Sequence, residues 1–66
     1  MIERNVPTKG FYERIIEGIE QRIRGYESFL AVHHNDVKAP MVRDALALER
    51  DRLRRMTTKM HERYPD

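Results

Sequence analysis

From Tyr12 onward the apolar residues fall at Tyr12, Ile16, Ile19, Ile23, Tyr26 and Leu30, with His33 closing the run, at spacings that alternate four and three. That is the period of a single stripe along an α-helix. Thr8 stands where an N-cap is wanted, although Phe11 occupies the position at which a capping box would carry Glu or Gln. The polar run His33-His34-Asn35-Asp36 then breaks the pattern, and Pro40 opens a second segment at the one place a helix tolerates proline, its first turn. The second stripe runs Val42, Leu46, Glu49, Leu53, Met56, Met60 and Arg63, again by fours and threes and with no Gly or Pro before Pro65. The pattern predicts an all-α chain: helices over about 8–34 and 40–64, a loop over about 35–39, and an extended N-terminal arm from Met1 to Pro7.

Two helices joined by so short a loop fold back as an antiparallel hairpin, and the apolar positions suggest a register. Leu30 opposite Val42 implies the layers Tyr26 with Leu46, Ile23 with Glu49, Ile19 with Leu53, Ile16 with Met56, and Tyr12 with Met60. The same register sets Glu27 near Arg43 and Glu20 near Arg50 on one flank. Opposite charges therefore arise from a pairing chosen by apolar residues alone, the kind of agreement between levels expected of a coiled-coil-like hairpin.

The other flank carries a second stripe. Phe11, Ile15, Gly18, Arg22, Gly25, Phe29 and Val32 lie beside the first stripe on helix one, and helix two adds Met41, Ala45 and Leu48 to the same side. A hairpin covers one stripe per helix, so this face meets water in a lone chain. Gly18 and Gly25 each cost a helix interior about 1 kcal/mol relative to alanine; seven residues apart, they share a face on which another backbone can approach closely. A second copy is the most economical cover, and two hairpins joined through this face form a four-helix bundle. We therefore expect a homodimer. In shape alone such an assembly resembles the dimeric helical hairpins of small RNA-binding plasmid regulators, with no shared motif from which a function would follow.

Composition narrows the chemistry. The chain has 66 residues, no Cys, no Trp and a formal charge of +2, with 36% of residues charged. One small domain is all this length supports, and at this size a single core is marginal. Thiolate catalysis and cysteine-bound zinc are excluded, and no apolar run exceeds four residues, so neither a signal peptide nor a membrane span can be built. We expect a soluble, cytoplasmic protein with no membrane partner and no cofactor.

Arginine dominates the cations, with ten Arg to three Lys. Arg43, Arg50, Arg54 and His61 form one stripe on helix two and are the candidate contacts to phosphate. Arg52 and Arg55, with Lys59, form another beside the apolar face, where Arg22 of helix one meets Arg52. Acidic residues are interspersed, no nucleic-acid-binding motif is present, and the same arginines can pair with neighbouring carboxylates. Glu49 stands in the seam where leucine is expected; pairing with Tyr26 or an arginine to fix register fits it better than acid–base work, since no second catalytic group converges on it. His33 and His34 are adjacent and do not share a helix face, which argues against a metal site with His61. Ser28, the only serine, has no paired base, and Gly10, Gly18 and Gly25 are isolated.

The expected function is therefore non-enzymatic: a small adaptor or inhibitor that binds another protein through Phe11, Ile15, Gly18, Gly25, Phe29, Val32, Met41, Ala45 and Leu48, ringed by Arg22, Arg52 and Arg55. The alternative is a homodimeric nucleic-acid-binding regulator that uses Arg43, Arg50, Arg54 and His61.

Overall fold

A computed structural model describes residues 8–65; the arm expected over Met1 to Pro7 lies outside them. Two helices make up the fold, α1 (Lys9–Val32) and α2 (Ala39–Arg63), and they pack against each other as a hairpin. The helix ends fall within two residues of the sequence expectation, and residues 33–38 form the connection.

Each end of the helices has a local cause. The Phe11 amide donates to Thr8 Oγ1 at 3.2 Å, so Thr8 caps α1 with its hydroxyl despite the missing capping box. At the other end the His33 amide donates to the Phe29 carbonyl at 2.7 Å. Asp36 then organises the turn: its carboxylate accepts from the Lys38 amide at 2.8 Å, and its carbonyl accepts from the Ala39 amide at 2.9 Å. Lys38 gives α2 no side-chain cap, but Pro40 in the first turn removes a donor that would otherwise lack a partner.

The core follows the middle of the expected seam, with Ile15 from the neighbouring stripe packed against it. Tyr12, Ile19 and Ile23 from α1 and Leu46 from α2 are buried, Ile19 completely, and Tyr26, Leu30, Leu53 and Met56 pack around the Ile19–Ile23–Leu46 cluster. His33 and Arg63, which close the two stripes, are exposed. Ala39 is a core residue that the periodicity does not mark; it is 99% covered where the chain turns into α2. Across the far end, the Tyr12 and Tyr64 rings meet edge to face at 6.2 Å between centroids.

The flanking charges differ from the sequence register in a consistent way. Arg50 pairs with Glu27 at 2.6 Å rather than with Glu20, and Arg43 donates to the His34 carbonyl at 3.3 Å rather than to Glu27. Each arginine thus reaches seven residues further toward the loop than expected. Helical side chains lean toward the N-terminus of their own helix. On α2 that direction is toward the loop, and on α1 it is away from it, so Arg50 and Glu27 lean together whereas Arg50 and Glu20 lean apart.

The hairpin is one helix layer deep. Its Cα envelope is 14 Å in the thinnest direction, and its radius of gyration is 15.6 Å, against about 11 Å for a compact domain of this length. One broad side of each helix is left without a second layer.

Candidate functional site

The second stripe lies open on one side of the hairpin. Phe11 is 48% exposed, Val32 72%, Met41 71% and Leu48 64%. Phe29 and Ala45 are half-buried, and the Phe29 ring sits 4.8 Å from that of His33. Ile15, expected on this face, is half-buried and packs against the core cluster, a place the periodicity gave to Ile16. The glycines leave real gaps. A methyl group built on Gly25 meets nothing within 4 Å, and one on Gly18 meets only Arg22 Nη1, at 3.9 Å.

Glu49 joins the two halves of this side. It is 8% exposed, and both carboxylate oxygens have guanidinium partners: Oε1 accepts from Arg22 Nε at 3.2 Å, and Oε2 from Arg52 Nη1 at 3.4 Å. Arg22 belongs to the stripe of α1 and Arg52 to that of α2, so their convergence places both stripes on one side of the hairpin. The expected meeting of Arg22 with Arg52 therefore takes place through a carboxylate between them, and Glu49's hydrogen bonds go to arginine and not to Tyr26. Among the described residues no buried side-chain nitrogen or oxygen lacks a partner. The cluster is nonetheless unbalanced, with two guanidiniums for one carboxylate, and Arg22 and Arg52 are 48% and 56% exposed.

A second cluster sits further round α2. Asp51 pairs with Arg54 at 2.9 Å and with Arg55 at 2.8 Å. Its carboxyl is held below the ordinary value of 3.8, first by the hydrogen bond from Arg54 and then by the charge of Arg55. Of the residues singled out for phosphate, Arg43, Arg50 and Arg54 thus all have partners within the chain: a backbone carbonyl, Glu27 and Asp51. His61 is exposed in the last turn of α2.

The described residues contain no cluster of three or more His, Cys, Asp or Glu that could hold a metal ion. None of the helices among them is long and apolar enough to cross a membrane. No protein-family model, characterised protein or solved structure matches the chain.

Proposed function

We propose that the chain is a non-enzymatic interaction module that binds another protein chain through the open side of the hairpin, as an adaptor or inhibitor does. One observation carries this reading: Phe11, Val32, Met41 and Leu48, on neighbouring stripes of the two helices, are each about half exposed or more in a hairpin only one layer deep. Exposed apolar side chains along one face mark an interface, and the arginines beside them are of the type enriched at interface hot spots.

Two kinds of protein could cover the face. A second copy would close the four-helix bundle expected from the sequence; the alternative is a segment of a different protein. Nucleic acid is the weaker reading, because the apolar residues of the face have no role against a phosphate backbone.

Site-specific photocrosslinking in the source cells tests the proposal. A benzophenone side chain at Leu48 should capture protein, whereas the same group at Arg24, on the outer side of α1, should not. The adduct should disappear when Phe29→Glu is introduced. Equal adducts from both positions, or none from Leu48, would overturn the reading.

A further inference from the structure

We infer that the open face takes an acidic amphipathic helix of a different protein, lying along the groove between α1 and α2 as the third helix of a bundle. The inference rests on the interaction-face reading above and names its partner by chemistry. Three observations carry it.

The first is the placement of charge. Arg22 lies near the middle of α1 and Arg52 near the middle of α2. A two-fold axis that lays the whole face on its own copy, with the loops at the same end or at opposite ends, therefore sets this cluster against itself. Four guanidiniums would then share two carboxylates in the centre of a dry interface, where unbalanced charge is expensive. A partner that brings its own carboxylates to that level removes the conflict.

The second is how loosely the guanidiniums are held. Arg52 touches Glu49 at 3.4 Å, longer than a well-formed hydrogen bond, and Arg22 places both its Nε and its Nη2 on the same carboxylate oxygen, at 3.2 Å. Each guanidinium has five N–H groups, so donors remain for an incoming carboxylate, in the forked geometry that suits one.

The third is shape. Gly25 has open space above it, and Gly18 only the tip of Arg22. Two turns apart on the same stripe, they let a helix backbone approach α1 closely. Phe29, Val32, Met41 and Leu48 lie on the loop side of the arginines. The partner's apolar residues would occupy that half, and its carboxylates would meet Arg22 and Arg52, the helix-in-groove mode of recognition.

The test is a selection. A phage-displayed library of helix-forming peptides is panned on the immobilised full chain, and the enriched peptides are measured in solution by fluorescence anisotropy. The expected winners carry Leu, Ile or Phe at helical spacing with Asp or Glu on the adjoining positions. Their affinity should fall about tenfold or more for the neutral variant Arg22→Gln/Glu49→Gln/Arg52→Gln, which keeps hydrogen-bonding groups at all three positions. It should also weaken as salt rises. Leu48→Glu should abolish binding while circular dichroism shows it as helical as the wild type, since Leu48 is 64% exposed in the hairpin; the same measurement checks the fold of the neutral variant.

Winners that lack acidic residues, or that bind the neutral variant equally well, overturn the acidic partner while their loss on Leu48→Glu preserves the interaction face. Winners indifferent to Leu48→Glu, or no winners at all, remove both. A stable dimer of the wild type that Leu48→Glu dissociates assigns the face to a second copy. A random-sequence DNA duplex that binds the wild type but not the neutral variant assigns the arginines to phosphate. Either result overturns the inference.

Discussion

Gly25→Ala separates an open face from a covered one by the sign of its effect on stability. Gly25 lies inside α1, where glycine is about 0.5–1 kcal/mol worse than alanine because its backbone loses more freedom on folding. The added methyl meets nothing within 4 Å in the single hairpin, so no clash offsets the gain. At about 4–8 °C per kcal/mol for a domain of this size, the midpoint of thermal unfolding should rise by roughly 2–8 °C. Gly18→Ala should act in the same direction, since its methyl would sit at ordinary contact distance, 3.9 Å, from the flexible tip of Arg22. Were a second copy already packed over Gly25, the methyl would instead enter a close backbone contact, and overpacking of that kind costs about 1–3 kcal/mol. The midpoint would then fall, and in both proteins it would depend on concentration. Far-UV circular dichroism melts of wild type and variant at several concentrations decide between these. A lower midpoint for Gly25→Ala refutes the open face.

The Glu49 cluster should respond asymmetrically. Glu49→Leu fills the seam and releases two arginines that are already half solvated, so it should leave stability unchanged or raise it by about 1–2 kcal/mol; Arg22→Ala with Arg52→Ala strands a buried carboxylate and should cost about 1–3 kcal/mol, both read by urea unfolding. The Asp51 carboxyl, followed by NMR, should titrate below 3.8 and move back toward that value in Arg54→Gln/Arg55→Gln. Because its folded pKa is lowered, its contribution to stability is complete above the unfolded value and is lost as pH falls through the folded one; acid melts of that variant should therefore lose less between neutral pH and pH near 3 than the wild type. A double-mutant cycle on Arg50 and Glu27 should give about 0–1 kcal/mol despite the 2.6 Å contact, since both side chains are about half exposed.

The seam was legible because burial enforces its period. Tyr12, Ile19, Ile23, Leu46 and even Glu49 are all covered where the alternation of fours and threes puts them. Its ends were legible too, since Thr8 and Pro40 act through local backbone chemistry that needs no tertiary contact. Ala39 was not, because a small residue in the first turn is buried by the path of the chain and carries no periodic signal. The flank pairs were misread by one heptad because positions on a helical net ignore the lean of the side chains, which Arg50 and Arg43 exploit. The convergence of Arg22 and Arg52 followed from helix position, but their sharing of Glu49 did not. An acid placed among apolar seam residues signals a buried partner without saying which one. The exposure of Phe11, Val32, Met41 and Leu48 followed from their place beside the seam, whereas what covers them depends on a chain other than this one.

The most direct measurement is the solution mass of the wild type by light scattering from low to high micromolar concentration, beside Phe29→Glu. If the face stays open until a different protein covers it, both should remain at the 8.0 kDa of a single chain. A wild type at twice that mass, returned to the single-chain value by Phe29→Glu, would contradict this and give the face to a second copy.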